Sequence, residues 1–141
     1  MDLAAAFLRT AEDDLRAARV CLAARSAPAA AFFAQQAGEK AAKGWLLAHG
    51  YRAGRTHYTT PMLVRALALE GGGSTAALRD AVNALHDLEE YAAGARYSSH
   101  GARPGTYEPP AARIDAAEAA AALRQARFVV DAFERAARRG G

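Results

Sequence analysis

The sequence predicts an all-α fold, an up-down antiparallel helical bundle of four long helices and one short helix. Apolar residues recur at alternating steps of three and four over long stretches, the period of a helix with one buried face. Roughly 40 of the residues are alanine, the strongest helix former. No stretch alternates apolar and polar residues as a half-buried strand does.

The apolar pattern, interrupted by Gly and Pro, sets the expected helix bounds. Ser26 and Thr60 are the predicted N-caps of the second and third helices, and Gly50 is the predicted C-terminal stop of the second. The predicted helices cover about 2–25, 28–49, 61–70, a fourth from just after Ser74 or Thr75 to Gly94, and 112–138.

Two positions inside the second predicted helix are glycines, Gly38 and Gly44. Each costs up to about 1 kcal/mol relative to alanine in a helix interior, so we expect a neighbouring helix to approach closely there. The longest irregular stretch is 95–110, and loops of this length are uncommon and often functional. In the last helix, apolar residues seven apart predict a seam against a nearly antiparallel neighbour.

Length and composition favour a single domain over residues 1–141. The net charge of +3 is mildly basic, and the basic residues are spread rather than gathered in a stripe. The single cysteine, Cys21, excludes an internal disulfide and is expected to be a small buried residue. No apolar run reaches the ~18 residues of a membrane span, so we expect no membrane association and a cytoplasmic protein.

The sequence contains no phosphate-binding loop, zinc spacing or nucleophile elbow. Its four histidines are scattered, so neither a metal site nor a cofactor is predicted. Adjacent carboxylates at Asp13–Asp14 and Glu89–Glu90 point in different directions on a helix. We therefore expect all four to be surface charges.

The second helix carries the most specific stretch, 33–47. Gln36 falls on its apolar face, where a buried amide needs hydrogen-bond partners and can orient neighbouring helices or a dimer interface. Glu39 and Lys43 stand four residues apart, a favourable pair worth only about 0.3–0.5 kcal/mol on a surface.

This stretch resembles the HEPN family, whose second helix carries a Gln-Gln-Ala-x-Glu-Lys-x-x-Lys signature. The resemblance continues at Arg55-Thr56-His57, similar to the family's Arg-x-His before a short helix, and at Ala95-Arg96-Tyr97 after the fourth helix. The three pieces occur in the family's order and span roughly residues 5–135. The resemblance implies a bundle that commonly forms homodimers and is often encoded beside a minimal nucleotidyltransferase as a toxin–antitoxin pair.

Many members of the family are metal-independent ribonucleases, whose motif is an arginine, four to six residues, then a histidine. The corresponding candidates here are Arg96 and His100. Only three residues separate them, Tyr97 replaces the usual polar residue, and both fall in a predicted loop. This degenerate motif favours a protein without catalysis. If these residues are not catalytic, we expect Arg96 to pair with Glu39 or Glu90, Tyr97 to lie in the core and His100 to be exposed.

A second group of candidates could bind a nucleotide or RNA phosphate: Lys40, Lys43, Arg55, His57 and Tyr107, beside Arg96. Alternatively, Arg55 and His57 cap the second helix by bonding its last carbonyls. The function expected from these observations is a homodimeric interaction module associated with nucleotide or RNA and partnered with a minimal nucleotidyltransferase. The alternative is a metal-independent ribonuclease that uses Arg96 and His100 across a dimer interface.

Overall fold

The computed structural model describes residues 1–71 and 76–139. The predicted cap at Ser74 or Thr75 lies outside the described residues. The elements in chain order are α1 (Leu3–Ala23), α2 (Ala27–Ala48), α3 (Thr60–Leu69), α4 (Ala76–Glu89), α5 (Tyr91–Gly94), β1 (Ser99–His100), β2 (Tyr107–Glu108), a 3-10 turn (Pro110–Ala112) and α6 (Ala116–Arg139).

Four long helices, α1, α2, α4 and α6, pack around one alanine-rich core, which confirms the predicted all-α bundle. Helix α1 runs antiparallel to α2, and the two are joined by an ion pair between Asp14 and Lys40. The α6 residue Phe133 packs on Trp45 of α2, with ring centroids 6.1 Å apart. In an up-down order the second and fourth long helices run in the same direction. This contact of α6 is therefore with a parallel neighbour, whereas α1 and α4, which also pack against α6, run antiparallel to it as predicted.

The two glycines of α2 lie where neighbouring helices approach most closely, as predicted. A Cβ on Gly38 would stand 3.1 Å from Leu85 Cδ1 of α4, and one on Gly44 would stand 2.8 Å from Leu8 Cγ of α1. Small residues thus let α2 sit close to two helices at once. The gain in packing offsets the helix propensity that glycine forfeits.

The segment after α4 is more ordered than the sequence indicates. Helix α4 ends at Glu89, the short α5 follows, and β1 and β2 form an antiparallel pair in which His100 lies opposite Tyr107. The sequence does not indicate these strands, because two residues per strand are too few to show an alternating pattern. Helix α6 begins at Ala116 rather than near 112, with Asp115 Oδ1 accepting a hydrogen bond of 2.8 Å from the N–H of Glu118.

The predicted helix caps had mixed outcomes. Gly50 follows α2 with φ +80°, the left-handed conformation that favours glycine. Ser26 is the N-cap residue of α2, as predicted, but its hydroxyl makes no capping bond. Thr60 is already helical, and its N–H and hydroxyl donate to Glu89 Oε1 at 2.8 and 2.7 Å.

Cys21 is half-buried and packs against the core, so it is less enclosed than expected. None of the described helices is both long enough and apolar enough to cross a lipid bilayer.

The contact between Gly44 and Leu8 yields a stability prediction. Gly44→Ala should destabilise the fold by about 1–3 kcal/mol, because overpacking outweighs the propensity gained. Urea unfolding measures the change. In a Leu8→Ala background the same substitution should cost clearly less, since the clashing side chain has been truncated. Equal costs in the two backgrounds would show that α1 and α2 are not packed in this way.

Candidate functional site

A buried polar cluster lies on the α2 face that carries the distinctive sequence stretch. Gln35, Glu39 and Lys43 are spaced by four residues and are only 0%, 5% and 7% exposed. Lys43 Nζ donates to Glu39 Oε1 at 2.7 Å, and Gln35 Nε2 donates to Glu39 Oε2 at 2.9 Å. We call Gln35, Glu39, Lys43 and His57 the Glu39 network.

His57 joins this network from the loop between α2 and α3. Its Nδ1 lies 2.9 Å from Glu39 Oε2, and its side chain is 46% exposed. A carboxylate only accepts hydrogen bonds, so Nδ1 must carry the hydrogen. The loop is therefore tied to the middle of α2 through a charged acceptor.

Burial and hydrogen-bond donors shift the pKa of the Glu39 carboxyl in opposite directions. Burial alone would raise its pKa, but hydrogen bonds from Lys43, His57 and Gln35, together with the Lys43 charge, more than offset burial and lower the pKa. The ionised form is thus favoured inside the fold. An ionised Glu39 also supplies a charged hydrogen-bond partner for the buried Lys43 side chain.

Two expectations about this stretch need correction. The pair of Glu39 and Lys43 forms, but it is buried rather than on the surface. The fully buried glutamine is Gln35, not Gln36, which is half-buried and donates to Gln35 Oε1 at 2.7 Å. The sequence did not single out Gln35, because the predicted apolar face of the helix was placed on Phe33 and Gln36, one residue away.

Two carboxylates expected at the surface are buried. Asp14 is 9% exposed and pairs with Lys40, whereas Glu89 is 4% exposed and accepts both hydrogen bonds from Thr60. Asp13 and Glu90 are exposed, as predicted. The adjacent residues differ because only one of each pair faces a neighbouring helix or loop.

Arg96 lies just after α5 and is exposed. Its guanidinium carbon stands 4.8 Å from the ring centroid of Phe32 and 5.3 Å from that of Tyr97, and Nε donates to the Ala92 carbonyl at 3.0 Å. The alternative pairing with Glu39 or Glu90 is not found among the described residues. The alternative of a core Tyr97 was also wrong, since this side chain is 61% exposed.

His100 is exposed on β1, as its non-catalytic alternative predicted. Its ring centroid lies 5.1 Å from that of Tyr107 on β2, and Tyr107 is 65% exposed. We call Arg96, Tyr97, His100 and Tyr107 the hairpin surface.

The structure relates the two groups of candidates through α2. Phe32, which contacts Arg96, and Glu39, which contacts His57, are seven residues apart and thus share one helix face. Seven residues rise about 10 Å along the axis. Arg96 and His57 therefore contact the same face of α2 about two turns apart.

The remaining binding candidates do not share one environment. Lys40 pairs with Asp14 of α1, Lys43 is enclosed in the Glu39 network, and Arg55 is exposed in the loop two residues before His57. The last α2 carbonyls accept hydrogen bonds from backbone N–H groups of 49–51. Capping of α2 by His57 was wrong, and Arg55 makes no such bond among the described residues.

One acidic group that the sequence did not indicate joins α1 to α6. Carboxylate oxygens of Glu12, Asp131 and Glu134 lie within 4.8 Å of one another. Arg127 donates to Glu12 at 2.7 and 3.1 Å and also to Asp131, and its hydrogen bonds lower the pKa of Glu12. Burial, followed by the Glu12 charge, raises the pKa of Glu134. The Arg127 guanidinium thus offsets part of the negative charge of this group. Spacing in the sequence could not reveal the contact, because Glu12 and Arg127 are 115 positions apart.

Comparison with known proteins agrees with this architecture. The family model of the HEPN domain matches residues 4–136. The chain therefore belongs to the HEPN family. The crystal structure of TT1696 from Thermus thermophilus is similar, with 30% identity, coverage of 96% of this chain and 99% of that one, and a TM-score of 0.80.

A second similar structure is ST0689, described as an archaeal HEPN homologue. It is 22% identical, with coverage of 96% of this chain and 98% of that one and a TM-score of 0.70, so it supports the fold alone. No functionally curated protein matches the chain.

The buried network yields a prediction about stability and pH. Glu39→Gln should cost about 3 kcal/mol at pH 7, because it leaves the Lys43 charge buried without its partner. Since the folded pKa of Glu39 lies below its ordinary value of 4.5, its contribution is present above pH 4.5 and lost as pH falls through the folded pKa. Urea unfolding across pH should show the gap to wild type closing in acid.

The exposed pair of Asp13 and Arg16 supplies the matched control. Asp13→Asn should change stability by less than about 1 kcal/mol, because solvent screens surface pairs. A Glu39→Gln variant as stable as the control would mean that the network is not buried.

Proposed function

We propose that the chain is a homodimeric HEPN interaction module, associated with nucleotide or RNA. In this proposal it acts in the cytoplasm with a minimal nucleotidyltransferase, as a toxin–antitoxin-like pair. The observation that supports a binding role is the hairpin surface, which exposes two large aromatic side chains beside an arginine.

Tyrosine and arginine are among the residue types that dominate binding energy at protein interfaces. Tyr97 and Tyr107 are 61% and 65% exposed, and Arg96 lies over the Tyr97 ring. Each tyrosine offers a large apolar area at a low cost in conformational entropy. A partner that covers this hairpin would bury apolar surface that is otherwise hydrated.

The polar contacts of α2 narrow the set of residues that could contact nucleotide or RNA. Glu39 and Lys43 are enclosed and bonded to each other, so neither is free to meet a substrate. Lys40 is likewise engaged by Asp14. Among the residues expected to contact nucleotide or RNA, Arg55, His57 and Tyr107 remain exposed. We propose that these three, rather than the lysines, make the nucleotide or RNA contacts.

A second candidate function is metal-independent cleavage of RNA. It is favoured by one observation, that Arg96 and His100 are both exposed on the hairpin surface and Arg96 forms no ion pair among the described residues. His100 would accept the 2′-hydroxyl proton as the 2′-oxygen attacks phosphorus and the 5′-oxygen leaves, taking a proton from water, to form a 2′,3′-cyclic phosphate. Arg96 would stabilise the negative charge on the phosphoryl oxygens. A three-residue spacing across a turn holds the two groups less rigidly than one helix would, which makes this function the weaker candidate.

Homodimerisation is tested by light scattering. At micromolar concentration we expect the molar mass of two chains. A single-chain mass at every concentration tested would contradict this part of the proposal, whatever the partner result.

The partner contact is tested by co-expression with a minimal nucleotidyltransferase, the proposed partner, followed by affinity measurement of the purified complex. Tyr97→Ala/Tyr107→Ala should weaken binding at least about tenfold, since two interface anchors are lost. Leu69→Ala, which truncates a residue that is 71% exposed at the end of α3, should bind as wild type does. Equal weakening by both variants, or none by either, would rule out the hairpin surface as the contact.

The ribonuclease alternative predicts cleavage of structured RNA in the presence of EDTA. His100→Ala should then abolish cleavage, whereas His86→Ala, which changes another exposed histidine, should not. Absence of cleavage by wild type, or cleavage that persists in His100→Ala, would end this alternative.

A further inference from the structure

The end of the bundle farthest from the hairpin surface contains a cleft of about 460 Å³. It lies where the C-terminal turns of α2, α3 and α6 meet the first turn of α4. Phe32, beside the hairpin surface, and Trp45, in the cleft, are 13 residues apart on α2, which corresponds to about 20 Å. The cleft is thus a separate feature from the proposed partner surface.

The inner wall of the cleft is apolar and partly aromatic. Trp45, Leu67 and Leu78 form it together with small side chains of α6 such as Ala132. The Trp45 ring stacks on His49 with centroids 4.3 Å apart, and His49 Nδ1 lies 2.9 Å from the Trp45 carbonyl oxygen. Trp45 is only 2% exposed and is held by this stacking, so the wall is rigid, and a rigid apolar wall with aromatic side chains suits an apolar aromatic group.

The mouth of the cleft is cationic. Arg135 and Arg139 are four residues apart on α6 and therefore lie on the same side of the helix. Among the described residues neither guanidinium forms an ion pair, although Arg135 Nε donates to the Asp131 carbonyl at 3.2 Å. Glu70 is the one carboxylate at the mouth among the described residues, and it accepts the Tyr51 hydroxyl at 2.5 Å.

We propose that this cleft binds a small organic anion with a flat apolar body, of the aryl carboxylate or aryl sulfonate class. The apolar body would lie against Trp45 and Leu67, and the anionic group would lie between Arg135 and Arg139. Sites for small molecules commonly combine an apolar cavity of this volume with a few charged groups that fix orientation. The volume admits only about one turn of a helix with its side chains, which favours a small ligand over a docked helical segment.

The chain contains a single tryptophan, and it lies in the cleft wall, so binding can be followed directly. The probe is 8-anilinonaphthalene-1-sulfonate, added to the full chain while energy transfer from Trp45 is recorded. We expect saturable transfer with one site per chain. Transfer that never saturates, or that needs several sites per chain, would overturn the proposal.

Charge and shape are then tested separately. Arg135→Gln/Arg139→Gln should weaken binding at least about tenfold, whereas Arg16→Gln/Arg19→Gln, which removes equal charge from α1, should change it little. Ala136→Phe keeps the charge but fills the cleft and should abolish binding. Thermal unfolding identifies any variant that fails to fold. If Ala136→Phe fails to fold, the Arg135→Gln/Arg139→Gln variant still decides the result.

Two further outcomes separate this proposal from the proposed function. An uncharged phenylaminonaphthalene of the same size should bind at least about tenfold more weakly, and equal binding would overturn the assignment of an anion. The Tyr97→Ala/Tyr107→Ala variant should bind the probe as wild type does. Loss of probe binding in that variant would contradict the separation of the two sites.

Discussion

The rest of the structure depends on one buried carboxylate, that of Glu39. Removing an ionised carboxylate from water is costly, and the cost is offset only if several donors converge on it. Lys43 and Gln35 supply donors from the same helix, and His57 supplies one from the loop that leads to α3. This arrangement fixes where that loop crosses α2, and Glu89 then fixes the start of α3 by accepting both hydrogen bonds from Thr60.

Close packing through small residues is the second constraint. Gly44 brings α1 against α2, and Gly38 brings α4 against the same helix, so α2 is enclosed by its neighbours over most of its length. About half of the described residues of the core are alanine, and Trp45, Tyr91 and Phe133 are the aromatic side chains buried among them. The tyrosines of the hairpin surface remain outside it, and they are free to contribute to binding rather than to folding.

The sequence predicted the features that repeat with the helical period and missed those that depend on contacts between distant segments. The helices, the close approaches at Gly38 and Gly44 and the stop at Gly50 follow from local pattern and backbone preference. Spacing also indicated the pair of Glu39 and Lys43, but its burial depends on His57 and on helices elsewhere in the chain. The buried states of Asp14 and Glu89 were missed for the same reason, because their partners are 26 and 29 residues away. The exposure of Tyr97 follows from a hairpin whose strands are too short to leave a pattern.

The two ends of the bundle carry different chemistry, an aromatic and cationic hairpin at one and a cleft with a cationic mouth at the other, and the Glu39 network lies between them. The most direct test of the account is the protonation pattern of the His57 ring, measured by long-range ¹H–¹⁵N NMR at neutral pH. A ring that donates to Glu39 must carry hydrogen on Nδ1, so we expect the Nδ1–H tautomer or the doubly protonated ring. A neutral ring with its hydrogen on Nε2 would contradict the contact, and with it the way the loop is held to α2.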